Sequence, residues 1–460
     1  MENKRAILIF FLLAGVWIRA AGGQTGAASF FNPLSRSQNG IHLYGVSLYG
    51  GYYSAGTPVG MDLAGASFTP PSFQSQNGTT VFGAGATFGW TKVTDRKTIT
   101  ATYSPSYFGT AENSQFNQLN HGFSFTGVKK AGRWTLSTAL AGVVSNLEQL
   151  YFAPNTLSSA AGTPANFEDL AAAILAGKIT DPQLTGILAG APLLGSPEQA
   201  FYYGNRILSA TLQTEASWAA SERSSFEFSL SGARLQHLQH AKVSDSSGSS
   251  TPLLPQTTSA SVTVGWSYAI SPRTQFGVNA ATSRSFSKFQ EGYATTSTLS
   301  LGRTMSQRWF VQLRAGAGKM TYTRQTFPGG RNVQFQGGGT LGLKTRAHTW
   351  MASYDRSIGD IYGLGSSTTN GATGAWNWHA PGSGWSSSAS FGYQRLTSSV
   401  FQNTESWHGG ASLGRALGGH LFASVQYVYT KFPSNIRLEG YNFEESGVMV
   451  ALTWSPSPYR

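Results

Sequence analysis

The stretch Ser259–Pro272, SASVTVGWSYAISP, alternates along its length. From Ala260 to Ile270 the even positions are Ala260, Val262, Val264, Trp266, Tyr268 and Ile270. The odd positions are Ser261, Thr263, Gly265, Ser267 and Ala269. A period of two marks a β-strand, whose successive side chains point to opposite faces. One face here is apolar and ends in aromatics, and the other is small and polar. The fold turns on which solvent each face meets.

The pattern recurs along the chain. Phe82, Ala84, Ala86, Phe88 and Trp90 stand against Gly83, Gly85, Thr87 and Gly89. Trp134, Leu136, Leu140 and Val144 stand against Thr135, Ser137 and Ala141, and Phe226, Phe228 and Leu230 against Glu227, Ser229 and Ser231. Trp309, Val311, Leu313, Ala315 and Ala317 oppose Gln312, Arg314, Gly316 and Gly318, and Val448, Val450, Leu452 and Trp454 oppose Met449, Ala451 and Thr453. About 18 such segments, within a range of roughly 16–20, run from residue 40 to residue 455. Their connections alternate too. One set is tight: TDRK (94–97), KAGR (130–133), SPR (271–273), SQR (306–308) and LGG (417–419). The other is mostly longer: 55–78, 110–118, 150–204, 241–255 and 433–440.

Composition narrows the setting. Only 11% of the 460 residues are charged and 40% are hydrophobic, with 55 glycines and no cysteine. A soluble domain carries about 25% charged residues. The net charge of +12 is spread over 32 basic and 20 acidic residues without a dense basic block, which argues against a nucleic-acid partner. The start, MENKRAILIFFLLAGVWIRAAGGQ, has Lys4 and Arg5 before an apolar run from Ala6 to Ile18, then the small residues Ala20, Ala21, Gly22 and Gly23. It reads as a secretory signal peptide over 1–22, followed by a short periplasmic segment over 23–39. No later apolar run reaches the roughly 18 residues that a spanning helix needs.

A soluble barrel points its apolar face inward. About 18 strands would enclose a lumen too wide for the Ser, Thr, Gly, Gln and Ala of the opposed face to fill. The reverse orientation works: the apolar face meets lipid and the small polar face lines water. The expected fold is therefore all-β, a closed antiparallel transmembrane barrel over 40–460 with short turns at one end and longer loops at the other. Trp90, Trp134, Trp218, Trp266, Tyr268, Trp309 and Trp454 lie near the tight-turn ends, where an aromatic girdle belongs. The same turns carry Lys92, Arg96, Lys130, Arg133, Arg273, Arg308 and Arg346, each favourable by about 1 kcal/mol beside anionic lipid.

With its signal peptide, dyad repeats, alternating connections and terminal strand SGVMVALTW, the chain resembles the bacterial outer-membrane β-barrels of the porin-like type across nearly its whole mature length. The resemblance implies export to a Gram-negative outer membrane, contact with its lipid, and assembly by barrel-assembly machinery that reads an aromatic residue on the last strand. Trp454 fits that part. The chain departs from the pattern by adding SPSPYR (455–460), which leaves Tyr459 as the alternative.

Residues 150–204 are too long for a plain loop. In NFEDLAAAILAGK, Phe167, Leu170, Ala171, Ile174 and Leu175 follow helical spacing, with Asn166 as a cap and Gly177 as a stop. Pro182 opens a second helical stretch. The expected place of this insert is over the barrel mouth; the competing expectation is deep insertion. The dyad phase puts Gln213, Glu215, Glu227, Gln275, Asn279, Gln312, Arg314, Gln334, Gln336 and Asp355 on the pore lining, with His408, Ser424 and Gln426. Charges there are few and of both signs, whereas an ion-selective pore carries a one-signed ring. The expected function is a channel for small polar, mostly uncharged solutes. The alternative is a gated or plugged barrel in an export assembly, such as polysaccharide secretion, with a periplasmic export partner. No catalytic, cofactor or metal motif stands out: HLQH (237–240) puts its two histidines on opposite faces of a strand, and GAGATFG (83–89) lies within one.

Overall fold

The computed structural model describes residues 39–54, 61–63, 66–68, 78–111, 117–146, 171, 174–175, 206–238, 243–244, 250–251, 256–287, 290–325, 333–360, 366–398, 403–432 and 443–456. The stretch read as a signal peptide, the segment up to residue 38 and Tyr459 lie outside them, as does most of the insert. Among the described residues, 18 long strands form one antiparallel sheet. In chain order they are β1 (Gly40–Ser54), β2 (Thr79–Thr94), β3 (Lys97–Thr110), β4 (Gln118–Ala131), β5 (Trp134–Asn146), β6 (Arg206–Ala219), β7 (Ser224–His237), β8 (Thr257–Ser271) and β9 (Thr274–Phe286). They continue as β10 (Gln290–Ser306), β11 (Trp309–Gln325), β12 (Gln334–Lys344), β13 (His348–Asp360), β14 (Ser366–His379), β15 (Trp385–Ser398), β16 (Asn403–Ala416), β17 (Leu421–Phe432) and β18 (Phe443–Trp454).

Each strand pairs with the next in sequence, and β1 pairs with β18 from Val46↔Trp454 to Ser54↔Ser446. That ladder closes the sheet, so every strand has two neighbours. Closed sheets and helices are the structures that satisfy their backbone groups within hydrocarbon. The tight connections stitch neighbouring hairpins together as well: Lys130 N–H donates to Arg96 O (2.8 Å), Thr304 N–H to Arg273 O (2.8 Å) and Lys344 N–H to Arg308 O (2.8 Å). In the two-residue turn between Ala131 and Trp134, Gly132 takes φ +59°, the left-handed value that a tight hairpin turn demands.

The opening stretch lies in β8 and shows the orientation directly. Val262 and Val264 are 48% and 44% exposed, while Ser261 and Ser267 donate to or accept from Ser231 (2.6 Å) and Ser225 (2.7 Å) on the neighbouring strand. The same holds around the ring: Leu48, Phe88, Phe123, Leu230, Leu301, Leu313 and Val448 all point outward and are exposed. Removing one Leu or Phe side chain from water is worth about 1.5–3 kcal/mol. A belt of such residues is untenable in water and favourable in hydrocarbon. Inside, cross-strand hydroxyl pairs such as Thr87 with Ser104 (3.1 Å) and Ser388 with Ser412 (2.6 Å) satisfy one another.

The inner face departs from expectation in one respect. It is not uniformly small: Tyr49, Phe310, Met320, Met351, Phe422 and Met449 also point inward and are buried. The rings among them lie across glycines of adjacent strands. A Cβ on Gly83 would meet the Tyr49 ring at 2.3 Å, one on Gly342 the Phe310 ring at 2.0 Å, and one on Gly414 the Phe422 ring at 2.2 Å. Each glycine is the bed of a neighbouring ring, so the ring lies flat on the wall and leaves the lumen open.

The face assignment is checked by paired substitutions in β8. Val264→Arg, on the lipid side, is expected to lower stability in lipid vesicles by about 2–4 kcal/mol, and Thr263→Arg, on the inner side, by much less. Urea unfolding followed by tryptophan fluorescence reads both, and equal losses would refute the assignment.

Candidate functional site

The lumen is the one large polar surface that the strands enclose. The continuous strand registers carry Gln213, Glu215, Glu227, Gln275, Asn279, Gln312, Arg314, Gln334, Gln336 and Asp355 on the face opposite the exposed apolar residues, along with His408, Ser424 and Gln426. They fall into sectors. Glu227 and Asn279 flank Gly265 on β7, β8 and β9, and a Cβ on Gly265 would meet Asn279 Oδ1 at 2.4 Å. Gln213 and Glu215 lie one strand further, opposite Ser231 and Ser229. Gln275, near the tight-turn end of β9, stands apart from both groups and pairs with Gly302.

The second sector centres on β11–β13. Arg314 pairs with Gly338, and Gly338 with Asp355, so the guanidinium and the carboxylate face each other across a residue without a side chain. Opposite charges in one row of the wall attract. Gly371 follows Asp355 in the same row, and a Cβ there would lie 3.0 Å from Asp355 Oδ1. Glycines on both sides leave the carboxylate room on the wall.

The insert enters this sector. Ala171, Ile174 and Leu175 are helical, and Ile174 is only 2% exposed. The Gln312 side-chain amide donates to Ile174 O. Leu175 packs on Gly302, where a Cβ would meet Leu175 Cδ2 at 2.5 Å. Gly302 and Gln312 pair with each other close to the tight turn at Gln307 and Arg308. The described helical residues therefore sit deep in the barrel, toward its tight-turn end, and not over its mouth as expected. The physical reason is local packing and hydrogen bonding on the inner wall. The bare backbone at Gly302 offers Leu175 a seat inside, and Gln312 offers a donor to Ile174 O.

A second element narrows the lumen. Ile358 and Thr368 share the outward phase of Tyr354 and Trp376. Yet Ile358 Cδ1 lies 3.2 Å from the Cβ position of inward-facing Gly318, and the Thr368 hydroxyl donates to the Gln334 side chain. The β12–β13 ladder stops at Gly337↔Arg356. Beyond that point the end of the β13–β14 hairpin parts from β12, while β14 stays paired with β15, and Ile358 and Thr368 reach the inner face of β11 and β12. No periodicity signals this, because the alternation within β13 is unbroken.

The girdle candidates lie on the outer face near the tight turns. Trp90, Trp134, Trp309 and Trp454 are exposed there, Trp134 stacks with Trp218 (6.0 Å) and Trp266 with Tyr268 (6.0 Å), and Trp266 Nε1 donates to Ser224 Oγ (2.9 Å). The set omitted Trp350 and Trp376, whose rings are 5.6 Å apart, and Trp385, which carries the Arg415 guanidinium over its ring at 5.0 Å. Their position beside TRAH (345–348) and APGSG (380–384) was the available signal.

Closed sheet, exposed apolar belt and polar lumen define the class: an 18-stranded transmembrane β-barrel of porin-like, outer-membrane type. No protein-family model matches the chain, and no characterised relative matches it in sequence. Among solved structures it is similar to Acinetobacter baumannii OccAB4, at 10% identity over 92% of this chain and 99% of that one, with a TM-score of 0.41. It is also similar to Pseudomonas aeruginosa OccK3 (OpdO), at 11% identity over 90% and 96% with a TM-score of 0.42. The outer membrane protein opdK of Pseudomonas aeruginosa aligns at 9% identity over 90% and 99%, also with a TM-score of 0.42. Overlap this loose leaves the function to be read from the chain's own residues.

The seat of the insert is testable. Gly302→Phe places a ring where Leu175 packs, and Gln312→Leu removes the donor to Ile174 O. Both are expected to raise the single-channel conductance step, with Gly302→Phe the larger effect. Unchanged steps in both would show that this contact does not limit passage.

Proposed function

We propose that the protein is a passive outer-membrane channel for small polar, mostly uncharged solutes. The observation that carries this reading is the Arg314–Asp355 row: the charges nearest the insert are of opposite sign and face each other across Gly338, in a wall whose other polar groups are mainly hydroxyls and amides, with Glu215 and Glu227 in a separate sector. Ion selectivity needs a field of one sign. A compensated wall offers donors and acceptors without such a field, which suits a hydroxylated or amide-bearing solute. The insert beside Gln312 and the folded end of β13–β14 narrow the route and set its size limit. An export barrel closed by the insert is the competing reading, and it requires silence from the isolated protein. On the same reading, β18 ending at Trp454 is the strand recognised by the barrel-assembly machinery.

Planar-bilayer recording of the purified chain tests the proposal. The expected result is stable conductance steps with potassium and chloride permeating at similar rates. Asp355→Asn removes the carboxylate facing Arg314 and is expected to shift the permeability ratio toward anions, and Arg314→Gln to shift it toward cations. The double variant returns it toward unity. Silence that is relieved only by deleting 150–204 would favour the plugged export barrel.

A further inference from the structure

At the tight-turn end of the outer wall, β11–β15 enclose an apolar trough of about 410 Å³. It arises from two cross-strand rows. In one, Leu341 and Phe391 stand at the ends with Ala352 and Gly374 between them; in the next, Trp350 and Trp376 are followed by Ala389. Large side chains thus rim a floor of small ones. The rim is fixed: Trp376 Nε1 donates to His348 Nδ1 (3.1 Å), and the His348 and Trp376 rings stack at 6.0 Å. Trp309 closes the side toward β11 and is 44% exposed.

The turns beneath the trough carry charge of one sign. SQRW (306–309), KTRAHTW (344–350) and WHAPGSGW (378–385) contain Arg308, Lys344 and Arg346 and no acidic residue. Elsewhere TDRK adds Asp95 and SER adds Glu222, while KAGR and SPR carry cations alone but lie away from this trough. Cations at the headgroup level directly below an apolar slot match the two ends of an anionic lipid. A second copy of the chain docking symmetrically on this wall would bring the same cations against themselves.

We propose that this trough and the cations below it form a binding site for one anionic glycerophospholipid of the leaflet at the tight-turn end. An acyl chain lies over Ala352, Gly374 and Ala389, and the phosphate meets Arg308 and Arg346. The site rests on the lipid-facing exterior and is independent of whether the lumen conducts. Native mass spectrometry of the full chain in detergent, titrated with phosphatidylglycerol or phosphatidylethanolamine of identical chains, tests it. Phosphatidylglycerol adducts are expected at about tenfold lower lipid concentration. Arg308→Gln with Arg346→Gln abolishes that preference. Gly374→Phe, at a position where a Cβ meets nothing within 4 Å, weakens retention of both lipids. Far-UV circular dichroism reports that each variant is a folded barrel. Equal retention of the two lipids would overturn the proposal, as would a preference that survives both changes. A two-chain mass that Gly374→Phe splits would assign the trough to a second copy instead.

Discussion

A backbone N–H or C=O without a partner in hydrocarbon costs several kcal/mol, and the rest of this structure depends on that constraint. An open sheet would expose two edges to lipid. The β1–β18 ladder, running from Val46↔Trp454 to Ser54↔Ser446, removes both. It joins residues about 400 positions apart in sequence, which makes it the most non-local pairing in the sheet. Once closed, it fixes the phase of every strand, because a slip of one residue would exchange the lipid and lumen faces all the way round.

Closure at this strand number leaves a lumen that side chains cannot fill, and the inner face shows how the chain manages it. Short hydroxyls satisfy one another between strands, as Ser231 and Ser261 do. The few inward rings lie on glycines: Tyr49 on Gly83, Phe310 on Gly342 and Phe422 on Gly414. Flat rings and paired hydroxyls give a wall that is dry behind and wet in front. Narrowing comes from separate elements laid on that wall, the helical residues at 174–175 and the end of the β13–β14 hairpin. The width of the route is thereby uncoupled from the stability of the barrel. The helical residues can vary without breaking a ladder, whereas the hairpin end is held by its pairing with β15.

What could be read from the sequence follows from the range of the forces involved. The strands and their faces were legible because alternation is local: each of Val262, Thr263 and Val264 declares its side without reference to distant residues. The candidate lining residues from Gln213 to Asp355 were assigned from the same alternation. The seat of the insert was not legible. Periodicity showed that Ile174 and Leu175 share an apolar face, but their partners Gly302 and Gln312 lie more than a hundred residues on, and Gln312 is 138 positions from Ile174. Alternation from Trp309 turns Phe310 inward, but that its ring lies on Gly342 is visible only in the β11–β12 register. The Arg314–Asp355 pairing was invisible for the same reason: each residue was assigned to the lumen, but their meeting across Gly338 is a property of β11–β13 register.

The two faces of the wall answer to different chemistry, and the small residues are where each is tuned. On the inside, Gly338 and Gly371 leave the charged pair space to compensate within the wall. On the outside, Ala352 and Gly374 open a trough between aromatic rims in a surface that is elsewhere studded with Leu, Val and Phe. In both cases the missing side chain weakens local packing and leaves room for something else, a compensated polar row on one face and an acyl chain on the other. A glycine inside a strand lowers its stability by roughly 0.5–1 kcal/mol relative to alanine. In a closed barrel the ladders on both sides spread that loss over neighbouring strands, so the wall tolerates concavities that an isolated hairpin could not. The glycines of this chain thereby shape both faces of the wall.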